Sequence, residues 1–147
     1  MLSQLQKILP EVCSVDIRTQ SALTLAYIGD SVIDLLIRTY LASTCRECVN
    51  QLNKRAIQVV SAGAQAQELE EISSMLTEEE LDIVRRGRNA KSGRVPKNAA
   101  VGEYKLATGL EALFGYLFLM GREERICQLF AEIVDKRKFD VLGKELQ

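Results

Sequence analysis

The stretch AYIGDSVIDLLIRTYL (residues 26–41) decides the reading of the fold, because it is apolar at helical spacing yet carries an acid among its apolar positions. At ~100° per residue, Ala26, Ile33, Ile37, Leu23 and Leu41 fall within roughly 60° of Asp30. The spacing predicts a buried helix over about residues 20–42 with Asp30 inside its apolar arc. An ionised carboxylate there is costly unless something pairs with it. Gly29 beside it admits another backbone or a ligand at close range.

The same periodicity runs through the chain. A second helix is expected from near Asn50 through VNQLNKRAIQVVSAGAQAQELEEISSM. A third begins at TEEELDIVRR, where Thr77 and Glu80 form a capping box. Acids at its start and bases at its end also suit the helix dipole. GRNAKSGRVPKN reads as a loop by its Gly, Asn, Ser and Pro content. Helices over about 100–120 and 122–138 complete an all-α domain of about five main helices. The expected division is a lead over 1–19, a domain over 20–138 and a tail over 139–147.

Composition narrows the function. The 147 residues suit one domain, and 47% hydrophobic with 27% charged residues is ordinary for a globular protein. There is no histidine, which removes His-based general bases, Ser-His-Asp and Cys-His nucleophilic sites and His-ligated zinc. Cys45 and Cys48 form one CxxC with no second pair, so they read as incidental thiols near a helix end. No secretory signal opens the chain, and a reducing cytoplasm is the expected setting. The most apolar run, LEALFGYLFLMG (110–121), is too short to span a bilayer, so no membrane partner is expected.

That run repeats the opening problem. Glu111 is the only charged residue between Lys105 and Arg122, with Tyr104, Ala107, Gly115 and Phe118 as neighbours on the wheel. Two acids on two apolar helices either share a cation or each find a basic partner. A hard divalent cation wants such oxygen ligands, and Mg²⁺, which keeps its waters and shares its shell with phosphates, suits a sparse site.

Charge is segregated along the chain. Residues 68–82 carry seven acids, whereas residues 85–97 (RRGRNAKSGRVPK) carry six bases and no acid. Those bases, Arg85, Arg86, Arg88, Lys91, Arg94 and Lys97, either form a solvated loop or meet phosphate. With no aromatic among them, duplex backbone is a better match than unpaired bases.

Three segments resemble a known family. YIGDSV resembles the signature helix of ribonuclease III enzymes, LEALFGYLF resembles their second acidic motif, and RRGRNAKSGRVPKN resembles the loop of the mini branch, which has no double-stranded-RNA-binding domain. The resemblance covers roughly residues 20–135. It implies an all-α homodimeric endonuclease that uses Mg²⁺ to hydrolyse phosphodiesters in double-stranded RNA, leaving a 5′-phosphate. Asp30 and Glu111 become the catalytic and metal-binding acids, and the six bases the RNA contacts. Where full-length members have two more acids, this sequence has Ala26 and Thr108; the mini branch shows a similar reduction. Glu68 and Glu71 are the candidates for any additional ligand. The implied substrate is the precursor of large-subunit (23S) ribosomal RNA in a bacterial cytoplasm or an organellar stroma, with a ribosomal protein as a possible presenter. The alternative within the family is an inactive RNA-binding scaffold, whose hallmark would be loss of Asp30 or Glu111; both are present.

Overall fold

The computed structural model describes residues 7–8, 16–91 and 100–142, with side chains through Arg137. Six helices account for most of it: α1 (Ala22–Thr44), α2 (Val49–Val59), α3 (Ala62–Ile72), α4 (Glu78–Asn89), α5 (Val101–Leu119) and α6 (Glu123–Leu142). No strand occurs among the described residues.

Local chemistry sets the helix ends. Ser21 caps α1 by accepting from the Thr24 amide at 3.1 Å. The CxxC is the turn out of α1: Cys45 is its C-cap, Cys48 opens α2, and both thiols are free. The single helix expected from Asn50 to Met75 is two helices. Ser61 accepts from the Ala64 amide at 3.3 Å, so the chain restarts there as α3. A serine inside an apolar-periodic run competes with the helix by capping a new one. The capping box of α4 forms as expected, with the Thr77 amide donating to Glu80 Oε2 at 2.9 Å and the Glu80 amide donating to Thr77 Oγ1 at 3.3 Å. α4 then runs on to Asn89, so Gly87, Arg88 and Asn89 are helical and not part of the loop.

α5 is the central helix. From 107 to 117 every residue except Glu111 is buried, which fits a helix that is apolar all round. Its neighbours approach through glycines. A Cβ on Gly29 of α1 would overlap the Glu111 carbonyl, and one on Gly115 of α5 would overlap the Leu25 carbonyl. On the far side, a Cβ on Gly87 of α4 would lie 2.8 Å from both Gly109 Cα and the Thr108 carbonyl oxygen. α1 and α4 therefore clasp α5 backbone to backbone.

α6 is fastened to the α4 end by charge. Arg125 donates to both carboxylate oxygens of Glu80, at 2.8 and 2.9 Å, and to the Met75 carbonyl at 2.6 Å. Glu79 accepts from the Tyr116 hydroxyl and from Arg122 at 3.0 Å.

Asp30 is exposed, which corrects the expectation that it lies within a buried arc. The buried stripe of α1 is Leu25, Ala26, Gly29, Ile33, Ile37 and Leu41. Its centre is rotated by roughly 60° from Asp30 at 3.6 residues per turn, leaving the aspartate on the rim.

Gly29→Ala and Gly115→Ala are each expected to destabilise the protein by roughly 1–3 kcal/mol or more, since backbone must move to admit one methyl. Gly102→Ala, where a Cβ meets nothing within 4 Å, is the control. Urea midpoints for the three variants check this, and equal midpoints would refute it.

Candidate active site

The α1–α5 crossing determines where the two singled-out acids sit. Asp30 follows the glycine at the crossing, and Glu111 carries the carbonyl against which that glycine packs. The two carboxylates consequently lie close enough, at the edge of the core, for the charge of Asp30 to act on Glu111. Burial and then the negative charge of Asp30 push the Glu111 carboxyl up to about 7, while a hydrogen bond from Gln65 of α3 pulls the other way. Among the groups acting on Glu111 in this way there is no basic side chain.

This pair fits a divalent cation. Its donors are hard oxygens, and the repulsion between them is the charge a cation would offset. No cluster of three or more Asp, Glu, Cys or His that could hold a metal occurs among the described residues. Any further ligands would then be water and substrate oxygens.

The other candidate ligands are elsewhere. Glu68 is 1% exposed and ion-paired to Arg137 of α6 at 3.1 Å. It lies against Ile37, Tyr40 and Leu41, in the half of α1 beyond Asp30. Burial raises its carboxyl to about 7, Arg137 opposing and Glu71 reinforcing the shift. Ala26 is buried, and the Thr108 hydroxyl is spent on the Tyr104 carbonyl at 2.9 Å.

The basic residues divide. Arg85 is exposed and paired with Asp82 at 3.2 Å. Arg86 is half-buried and donates to the Gln20 carbonyl at 2.7 Å, tying α4 to the segment before α1. Arg88 and Lys91 are exposed at the end of α4. Arg94 and Lys97 lie outside the described residues. A groove joins Gly87, Asn89 and Lys91 to Tyr104, Lys105 and Thr108 of α5. Tyr104, Thr108 and Glu111 follow one another at i, i+4 and i+7, so the groove leads along one face of α5 towards Glu111. Sequence reasoning misses Lys105 and Gln65; the signal for Lys105 is its place one turn before Thr108.

A family model, the ribonuclease III domain, matches residues 23–122. The chain belongs to the ribonuclease III family. Its relatives place it in the mini-ribonuclease 3 branch: that of Clostridium tetani is 41% identical over 126 residues, 85% of this chain and 83% of its own. That of Desulfitobacterium hafniense is 50% identical over 113 residues, 77% of this chain and 71% of its own. A crystal structure of a Fusobacterium nucleatum protein superposes with a TM-score of 0.74 at 35% identity, covering 84% of this chain and 98% of that one. The all-α ribonuclease III-like fold expected from the sequence is the observed one, and the protein is an endoribonuclease of that family. Both acids singled out at the crossing fall within the matched domain.

Because its folded pKa lies above its unfolded value, Glu111 favours folding below about pH 4.5, and that contribution is lost as pH rises through about 7. Glu111→Gln removes this liability. The metal-free variant is expected to have a higher thermal midpoint than wild type at pH 8, and the difference should shrink towards pH 5. Calorimetry at both pH values in chelator checks it; a lower midpoint at pH 8 would count against the assigned burial of charge.

Proposed function

We propose that the protein is a Mg²⁺-dependent endonuclease that hydrolyses phosphodiesters in double-stranded RNA, and that Asp30 and Glu111 bind the metal. The observation that carries this is the neighbouring pair of carboxylates with no basic partner among the described residues. Bound Mg²⁺ would supply charge neutralisation at the phosphate and a water of lowered pKa. The chain's own part is to hold two anionic oxygens in fixed positions. Gly29 keeps the crossing tight, and the exposure of Asp30 leaves the pair open to a phosphate from the solvent side. The product ends would be a 5′-phosphate and a 3′-hydroxyl.

Binding to the duplex is assigned to the positive end of α4. Arg85, Arg88, Lys91, Arg94 and Lys97 contact phosphates, joined by Lys105 across the groove. Arg86, held by the Gln20 carbonyl, is assigned a lesser share. The natural substrate assigned is precursor large-subunit (23S) ribosomal RNA, in a bacterial cytoplasm, with a ribosomal protein presenting it; the mini-ribonuclease 3 relatives support an RNA substrate and a bacterial host. No helix among the described residues is long and apolar enough to cross a membrane.

Two strands must be cut and each chain supplies one acid pair, so the working unit is a homodimer. An apolar groove on α1, α5 and α6 supports this. Tyr27, Val32, Leu35, Phe118 and Ile126 line it, with Tyr27 80% and Leu35 60% exposed. A patch of this kind marks an interaction surface, and a two-fold copy would cover it isologously.

Asp30→Asn and Glu111→Gln are each expected to abolish cleavage of a duplex RNA across a Mg²⁺ titration while leaving duplex binding intact. On the same duplex, Lys91→Ala or Arg88→Ala should lower the salt slope of binding by about 0.7–0.9 for each phosphate no longer neutralised. Near-wild-type turnover by both acid variants at saturating Mg²⁺ would refute the assignment of the pair, and no cleavage by wild type would favour the scaffold alternative.

Leu35→Glu tests the assembly by placing a charge in the apolar groove. The variant is expected to sediment as a folded monomer at micromolar concentration where wild type is a dimer. A monomeric, fully active wild type would rule the dimer out.

A further inference from the structure

Gln65 has no place in the chemistry described so far, yet it is 2% exposed. A fully buried side-chain amide is costly unless it is hydrogen-bonded. Its partner is the Glu111 carboxylate. We infer that Gln65 is a positioning residue, whose sealed amide holds the Glu111 carboxylate towards Asp30 and so presets the metal site. The inference rests on the reading of that pair as the site of a divalent cation.

The surroundings of Gln65 are rigid, as a positioning role requires. Ser61 starts α3 afresh and so decides the register that turns Gln65 inward. Arg137 of α6 donates to the Ala64 carbonyl at 3.0 Å, one residue before it. Gly63 packs against Glu103 of α5, where a Cβ would stand 3.4 Å from the carboxylate. Ala66, Leu69 and Ile72 are buried in the core along the same helix. The first turn of α3 is therefore fastened on two sides, and the Gln65 side chain enters from a fixed base.

A neutral donor suits this task better than a cation. Lysine or arginine at position 65 would also hold Glu111, but would neutralise the charge that attracts the metal. The amide orients one carboxylate oxygen and leaves the negative charge of the pair intact. It also restrains a side chain that Asp30 repels. Partners of metal-ligating groups behave in this way generally, and their loss costs about 10–100-fold in metal affinity.

The test uses full-length protein without RNA and Mn²⁺ alone as the probe, titrated by electron paramagnetic resonance. Gln65→Met keeps the length and removes the donor; Gln65→Asn keeps the donor but withdraws it by one methylene. Affinities are compared below the unfolding midpoint of each variant, so a less stable variant still reports. Both should weaken Mn²⁺ binding, the Met variant by about 10–100-fold. In cleavage, the half-saturating Mg²⁺ should rise by a similar factor, with kcat at saturating Mg²⁺ changed much less. In a Glu111→Gln background, Gln65→Met should have no further effect, since it acts through Glu111. Wild-type Mn²⁺ affinity in both Gln65 variants, or an equal loss in the Glu111→Gln background, would overturn the inference. Failure of the underlying metal reading shows separately, as Asp30→Asn and Glu111→Gln that bind Mn²⁺ like wild type.

Discussion

The structure depends on one contact, the passage of α1 across α5 with no side chain between their backbones. Gly29 and Gly115 face each other's helices, and neither position has room for a methyl group. Helices with larger residues at the contact stand about 8–10 Å apart. Removing the side chains from the crossing brings the acids beside it close enough for the charge of Asp30 to act on Glu111. Asp30 and Glu111 are thus paired by backbone geometry, and long flexible side chains contribute little to the placement. The second clasp, Gly87 on Gly109, works the same way from α4 and brings Lys91 at its basic end to the groove beside Tyr104 and Thr108 of α5.

A half-buried glutamate beside a second carboxylate opposes folding, and the remainder of the molecule offsets it. α5 is buried along most of its length and cannot shift without uncovering Leu110, Leu113, Phe114 and Leu117, all fully buried. α6 closes over the α4 end through the bidentate Arg125–Glu80 pair, in which a single glutamate both caps a helix and anchors another. Charge-assisted, partly buried and bidentate, this pair is of the kind that counts energetically, unlike the exposed Arg85–Asp82 contact. Arg125 keeps the Glu80 carboxyl below its usual range, through hydrogen bonds before anything else, so the latch holds its charge where Glu111 is poised between states.

Much of this is legible in the sequence. Periodicity gives the all-α class, the limits of α1 and α5 to within about two residues, and the capping box of α4. Glu111 is visible as a charge out of place on an apolar helix, and its charge neighbour Asp30 as an acid beside an apolar stripe. The misreadings have physical reasons. Leu23 makes the apolar arc of α1 look centred on Asp30, but Leu23 is exposed while Leu25 and Gly29 are buried to one side, and a helical wheel weighs an outward apolar residue like an inward one. The α2–α3 break is hidden because Ser61 sits among alanines and valines that sustain the period. Arg85, Arg86 and Arg88 read with the glycine-bearing loop, although Gly87 serves close packing inside a helix and no turn. Gln65 carries no sequence signal, since an amide on an amphipathic helix reads as a surface residue.

The chain also contains its own control for the assignment of the acid pair. Glu68 and Glu111 are both pushed by burial to about 7, so burial alone does not distinguish them. Their nearest charges do. Glu68 has Arg137 at 3.1 Å, a guanidinium that also reaches the Ala64 carbonyl and Gln67, and this group ties α6 to α3. Its negative charge is already answered from within the protein. The charge acting on Glu111 is a second carboxylate, and the donor it has is neutral. Glu68 completes an internal ion pair between helices, whereas Glu111 has a second carboxylate as its neighbouring charge and no basic partner among the described residues. That difference, and not the perturbed titration the two share, is why the functional reading falls on Asp30 and Glu111.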